Sequence, residues 1–301
     1  MEREYVYAAI LGVVQGIAEF LPISSSGHLV IVEALLREFS SAPMPSWLKG
    51  MTMNVALHFG TLLSIAVVYC KDLLELRKNG RLLMMIVLAS VPVGVVGLMF
   101  KDQIEAMFDS TLAAGCCLLV TAAFLLMAKK WQSGTTDLDR LSVWAAWVIG
   151  IFQAIAILPG VSRAGSTVAA GLVCGLKRPD AARFSFFIAI PAIGGATLLE
   201  LLKILEGKVA VDIAWQPMLL GAVISCVVWL VCLSSLVWRL GVGGVHWFSI
   251  FGPVLAVLTL LWQAGLLIMG RRRRMLVERK DDHVAGGQHV QNPVERATLA
   301  D

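Results

Sequence analysis

The sequence predicts an all-α integral membrane protein, built as an inverted repeat in which each half is a re-entrant helical hairpin followed by three spans. Three observations predict it. Apolar residues fall in long blocks, two of those blocks are interrupted by helix-breaking turns, and the two interrupted blocks resemble each other. Of 301 residues, 58% are hydrophobic and 15% charged, and mean hydropathy is +0.79. Soluble domains carry about 25% charged residues, and blocks of about 18 or more apolar residues read as membrane spans.

The first interrupted block runs from Tyr5 to about Glu38 and breaks at Pro22-Ile23-Ser24-Ser25-Ser26-Gly27. Its halves are too short to cross a bilayer alone, so they read as two half-helices of a re-entrant hairpin. Spans are predicted at 51–70, 81–100 and 111–128. The second interrupted block, from Ser142 to about Leu176, breaks at Pro159-Gly160-Val161-Ser162-Arg163. Spans then follow at 184–203, 216–238 and 248–270, giving about ten helices, six spanning and four re-entrant. The segment from Gly12 to Ala18 lines up with Gly150 to Ala156, 138 residues later. An odd number of spans per repeat turns the second repeat upside down, the architecture that brings broken helices together at a repeat interface. The expected organisation is one membrane domain over 1–270, with repeats at about 1–130 and 140–270, and a basic then polar, disordered tail over 271–301.

Loop charge sets the expected orientation. Lys71, Arg77, Lys78 and Arg81 flank one loop, Lys129, Lys130 and Arg140 a second, and Lys177, Arg178 and Arg183 a third. The span count puts all three on one side, which the positive-inside tendency makes cytoplasmic. The N-terminus is then outside, and its acidic start, Met1-Glu2-Arg3-Glu4, does not suit a signal peptide. Arg271 to Arg274 fall outside on this count, against the tendency. A formal net charge of +4 with no basic folded face excludes nucleic-acid binding. The six cysteines lie in apolar blocks without zinc-ligand spacing and read as small hydrophobes. Trp47, Trp131, Trp215 and Trp247 fall near span ends, where an aromatic belt is expected.

Ionisable residues inside a membrane are functional candidates by default. Here they are Glu19 and His28 in the first hairpin, Arg163 in the second, His58 within a span and Glu200 near the end of another. Gln15 and Glu19 are four apart, hence on one helix face. Ser24, Ser25, Ser26 and Gly27 open the following half-helix, where hydroxyls and free N–H groups suit an anion. Gly160, Ser162, Ser166 and Thr167 do the same in the second hairpin, and Arg163 adds a group suited to bidentate phosphate binding. Together these are the parts of a phosphoryl-transfer site. Arg163 would clamp phosphate, and Glu19, with Gln15, would place a divalent metal. Ser25 or His28 would attack phosphorus, unless water does so directly, with His28 alternatively the acid–base. Each residue alone has a plainer reading, the strongest being a structural Glu19–Arg163 ion pair. His58 reads as a packed or site-lining residue, and Glu200 as a side chain reaching the membrane surface.

At the two hairpins the sequence resembles the undecaprenyl-pyrophosphate phosphatase family, also called the bacitracin-resistance family. Its first motif, Gln or Glu, three residues, then Glu, leading through Phe-Leu-Pro and a serine-rich turn to Gly-His, corresponds to Gln15, Glu19 and onward to His28. Its second, Pro-Gly-x-Ser-Arg-Ser-x-x-Thr, corresponds to Pro159 through Thr167, with Ala164 where serine is usual. Arg183-Phe184-Ser185-Phe186 and Pro191 also resemble the family, over the chain to about residue 270. The resemblance implies hydrolysis of undecaprenyl pyrophosphate to undecaprenyl phosphate and phosphate. It implies dependence on a divalent cation, Mg²⁺ or Ca²⁺. It also implies a multi-pass protein of the bacterial plasma membrane with a site opening to the outer face. The lipid carrier would be recycled for peptidoglycan synthesis, with resistance to bacitracin. A lipid-carrier flippase on the same repeat is the rival. The oligomeric state is left open.

Overall fold

The computed structural model describes residues 2–19, 21–40, 45–48, 51–131, 134–206, 214–240, 254–262 and 264–265. The chain divides into a unit of Met1–Thr259, described below, and one of Leu260–Asp301, of which residues 260–262 and 264–265 are described and helical. The tail expected over 271–301, Arg271 to Arg274 and Trp247 lie outside the described residues. So does most of the sixth expected span, of which 254–262 are helical.

The described residues form helices and no strand. In chain order these are α1 (Glu2–Ala18), α2 (Ser25–Phe39), α3 (Met51–Val68), α4 (Cys70–Leu76), α5 (Gly80–Met99), α6 (Lys101–Phe108), α7 (Thr111–Lys130), α8 (Val143–Ile155), α9 (Arg163–Val173), α10 (Arg178–Leu205) and α11 (Trp215–Leu240). Five of these starts carry side-chain caps. Ser24, Asn79, Ser110, Ser142 and Ser162 each accept a hydrogen bond from the backbone N–H three residues on, satisfying a donor that the helix leaves free.

Among the described residues, four helices are long and apolar enough to cross a bilayer: α5, α7, α10 and the Trp215–Cys232 part of α11. The pair of α3 and α4 passes the same test together but is bent by 75°, as a broken span or a re-entrant loop is, and Lys71 and Asp72 end the apolar block there. By contrast α2, α8 and α9 have 15, 13 and 11 residues, about 17–23 Å at ~1.5 Å per residue. α1 is longer, at 17 residues, but opens Glu-Arg-Glu. None matches a hydrocarbon core of ~30 Å.

The short helices pack inside the bundle. α1 lies on α2 and α11, α8 on α9 and α5, and α9 also on α7 and α10, while α3 packs on α10 and α11. One apolar core joins α5, α8, α9 and α10 through Met85, Ile86, Ile149, Phe184 and Ile188. A second joins α1, α2, α3 and α11 through Leu11, Leu29, Met53, Leu57 and Met218. Facing outward, Val87, Leu98, Leu219 and Val223 are more than half exposed, as surface in contact with lipid tails should be.

The three basic loops meet at one end of the bundle. Arg81 donates to the backbone carbonyls of Asp139 and Leu141, Lys177 pairs with Asp137, and Arg183 pairs with Asp72. Two expectations are corrected. Glu200 does not reach for the surface: it is buried, accepts a 2.6 Å hydrogen bond from Thr52 Oγ1 and pairs with Lys203 at 2.9 Å. Trp47 packs in the second core rather than in a belt, whereas Trp131 and Trp215 are exposed.

Helix contacts in lipid rely on small residues that let backbones approach. A Cβ on Gly60 of α3 would lie 2.1 Å from the Ala222 carbonyl oxygen of α11, whereas one on Gly94 of α5 would meet nothing within 4 Å. Gly60→Ala is expected to destabilise the protein by about 1–3 kcal/mol, as overpacking does. Gly94→Ala should stabilise it by roughly 0.5–1 kcal/mol by restricting the unfolded chain. Midpoints of SDS unfolding of the two variants in mixed micelles check both signs.

Candidate active site

The turns of the two hairpins meet inside the bundle. Gly27 and Gly160 face each other so closely that a Cβ on Gly27 would lie 2.8 Å from Gly160 Cα. Gly160 N–H donates to Ser26 Oγ at 3.4 Å. Gly160 has φ +100°, a conformation open to glycine and costly for other residues. It is held by α7: Thr121 Oγ1 donates to the Gly160 carbonyl at 2.7 Å and accepts from Ser162 N–H at 2.8 Å. Ser24 also has a positive φ, of 67°. Its carbonyl accepts from His28 Nδ1 at 2.7 Å, so this strained turn is tied from both ends.

Glu19 sits where the hairpins meet, with a side chain 5% exposed. Arg163 Nη2, from the other hairpin, donates to Oε1 at 2.5 Å. Oε2 accepts from Ser25 Oγ at 2.5 Å and from Gln15 Nε2 at 3.0 Å. His58 Nε2, from α3, lies 3.2 Å from Oε2 and 3.5 Å from Ser25 Oγ. The other ring nitrogen of His58 is 2.7 Å from the Asn54 carbonyl. A carbonyl only accepts, so Nδ1 carries the proton. Nε2 of the neutral ring is then a lone pair facing Ser25, and a proton arriving there would complete an ion pair with Glu19.

Glu19, Ser25, His58 and Arg163 line an open pocket. Ser24, Ser26, Asn54, Gln153, Ser162 and Thr197 add to its polar lining. Val55, Val93, Phe108, Ile157, Ala192, Ile193 and Ala196 make the rest largely apolar.

The structure therefore brings Glu19, Ser25 and Arg163 together, with Ser24, Ser26 and Ser162 beside them and Gly27 and Gly160 forming the seam. Gln15 stands behind Glu19. His28 is not among the pocket-lining residues. Ser166 and Thr167 turn their hydroxyls to the carbonyls of Ser162 and Arg163, four residues back, and Thr167 also bonds Ser185 Oγ. His58 stands at the centre of the site, at hydrogen-bond range of Glu19. Thr121 was not singled out by the sequence, since a threonine inside an apolar helix ordinarily bonds its own backbone.

No group of three or more His, Cys, Asp or Glu side chains that could hold a metal occurs among the described residues. The donors present suit a hard cation shared with substrate. Glu19 supplies a carboxylate, and Gln15 Oε1 beside it is buried without a hydrogen-bond partner. Mg²⁺ is typically held by one or two carboxylates with phosphate oxygens and waters.

Fold and pocket together define a multi-pass helical membrane protein with a buried, charged, hydroxyl-lined site. The match to the sequence profile of the bacitracin resistance protein BacA covers residues 8–258, and the chain belongs to that family. Similar curated proteins include an undecaprenyl-diphosphatase of Rhodopirellula baltica, 40% identical over 82% of this chain and 93% of the relative. One of Trichlorobacter lovleyi is 39% identical over 75% and 85%, and one of Methanosphaera stadtmanae 34% identical over 84% and 96%.

Two predictions test the geometry. Thr121→Val, which strands Gly160 O and Ser162 N–H, should cost about 1–3 kcal/mol of stability, the cost of leaving buried polar groups unpaired. In a double-mutant cycle of Glu19→Ala and Arg163→Ala, the double variant should be more stable than the sum of the singles by roughly 1–3 kcal/mol. Each single leaves an unpaired charge in the site, and the double leaves none.

Proposed function

We propose that this protein hydrolyses undecaprenyl pyrophosphate to undecaprenyl phosphate and inorganic phosphate. The activity recycles a lipid carrier for cell-wall synthesis and gives resistance to bacitracin. The observation that carries this reading is Ser25 Oγ held between the Glu19 carboxylate and the His58 lone pair, with Arg163 on the same carboxylate. The family membership and the relatives' names support it. The pocket suits the substrate's two parts: the charged wall takes the pyrophosphate and the apolar wall the first prenyl units.

In the proposed reaction Ser25 Oγ attacks the terminal phosphorus, and the bridging P–O bond breaks. Undecaprenyl phosphate leaves, and the serine proton passes to His58 Nε2. The imidazolium so formed is stabilised by Glu19, the arrangement of a nucleophile, its base and an orienting carboxylate. Arg163 has N–H donors beyond those given to Glu19 and binds the phosphoryl oxygens, where charge develops. His58 hands that proton to the departing undecaprenyl phosphate; neutral again, it takes one from the water that attacks the phosphoserine and returns it to Ser25 Oγ as the serine P–O bond breaks and phosphate leaves. His28 holds the Ser24 turn in shape and so acts on position rather than on protons. A divalent cation, Mg²⁺ or Ca²⁺, would be held by Glu19 and Gln15 together with substrate oxygens, and would neutralise pyrophosphate charge.

The finer architecture belongs to the same proposal. The reciprocal packing of α1 on α11 and α8 on α5, with α3 on α10 between them, supports an inverted repeat. The gathering of the basic loops at one end supports placing that end in the cytoplasm, in the bacterial plasma membrane, with the site opening outward.

Phosphate release from undecaprenyl pyrophosphate by the protein purified in detergent is expected, and EDTA should abolish it. Arg163→Ala and Ser25→Ala should lose at least about 10²-fold in kcat, and His58→Ala about 10²–10⁴-fold, the range of a general base. Ser25→Ala at wild-type rate would move the nucleophilic role to water or His28. No release by folded wild type with any divalent metal would favour a lipid transporter.

A further inference from the structure

We infer that Gln153 is a substrate-binding residue, whose side-chain amide hydrogen-bonds the pyrophosphate group. Gln153 lies in the last turn of α8, is 1% exposed, and lines the same pocket as Glu19, Ser25, His58 and Arg163. Neither its Nε2 nor its Oε1 has a hydrogen-bond partner. Burying both ends of an amide unpaired is costly, and few native groups are left that way without a reason.

The sequence shows how the amide came to be unpaired. Gln15 and Gln153 occupy the same place in the two similar segments, 138 residues apart. Gln15 Nε2 is satisfied by Glu19, four residues on and on the same helix face. Four residues after Gln153 the chain has Ile157, an apolar residue of the same pocket. Gln153 keeps the amide and loses the carboxylate, so its donor is left for a ligand. Arg163 lines the same pocket, and an oxyanion is the ligand that an N–H donor and a guanidinium can share. A pyrophosphate oxygen would accept from Nε2, while Oε1 accepts from a water or a protonated phosphate oxygen.

The inference rests on the pyrophosphatase reading for its substrate, and its test does not need turnover. Binding of inorganic pyrophosphate to the detergent-purified full chain is measured by calorimetry in wild type, Gln153→Leu and Gln153→Glu, beside KM and kcat for the lipid. Gln153→Leu should bind pyrophosphate about tenfold more weakly, the loss of one hydrogen bond to a charged acceptor. Its KM should rise by a similar factor, and its unfolding midpoint should be unchanged or higher because an unpaired amide has been removed. Gln153→Glu, of equal shape, should bind weaker still, by about 100-fold in all, through like charge. A purely structural glutamine would lower the unfolding midpoint of both variants and leave pyrophosphate affinity equal. Equal affinity in the three proteins, or no binding to any, overturns the inference. Binding that follows the expected order without lipid hydrolysis would uphold it and sink the reaction instead.

Discussion

The structure depends on one constraint, that a charge inside a hydrocarbon layer must be met by another charge. Glu19 and Arg163 are 144 residues apart in sequence, at the turns of two pairs of short helices. Neither turn could hold its ionised residue there alone, since an unpaired buried charge costs several kcal/mol. Their pairing therefore ties the two hairpins to each other, and the apolar cores around α3 and α5 pack against them. A serine, a histidine and a glutamine amide converge on the same carboxylate, so the stabilising contact and the reactive centre share atoms.

That sharing has a chemical consequence. Glu19 Oε2 accepts from Ser25 at 2.5 Å and Gln15 at 3.0 Å and lies 3.2 Å from His58 Nε2, more neighbours than a purely structural counter-ion needs. Two of them, Ser25 and His58, belong to groups that can give up or take a proton. Substrate phosphate would take the Arg163 donors that Glu19 leaves free, so the guanidinium would join carboxylate and anion. Ser24 is held in a costly backbone conformation, and Gly160 in one that only glycine takes freely, at the place where two half-helices present hydroxyls and N–H groups.

Much of this was legible in the sequence because the signals are local. Pro22 and Pro159 inside apolar blocks mark the breaks, serines after them mark helix starts, and the few charges stand out against the hydrophobic background. The family's motifs fall on those same residues. What was not legible depends on direction and on partners from elsewhere. Ser166 and Thr167 look like further phosphate ligands by type, yet their hydroxyls fold back on carbonyls four residues earlier, an option every helical serine or threonine has. His58 carries no motif of its own; only the crossing of α3 beside the first hairpin sets it against Ser25. Glu200 lies near the end of α10, as a surface-seeking residue would, but Thr52 and Lys203 keep it inside. The bend after Val68 has neither proline nor glycine at the break and is announced only by the change from apolar to charged residues.

The two hairpins begin from similar segments and end with different chemistry. At corresponding places the first carries Gln15, Glu19 and Ser25, and the second carries Gln153, Ile157 and Ser162 followed by Arg163. A site with carboxylates on both turns would repel both itself and a pyrophosphate, and one with arginines on both would bind the anion without a group to take a proton. In the proposed reaction, dividing the signs lets one turn hold the reactive hydroxyl and the carboxylate beside it while the other holds the phosphate. It also lets the halves neutralise each other when no substrate is present. The asymmetry leaves one amide, Gln153, without the partner that its counterpart has, and in a buried site a donor without a partner is a place where a ligand gains affinity.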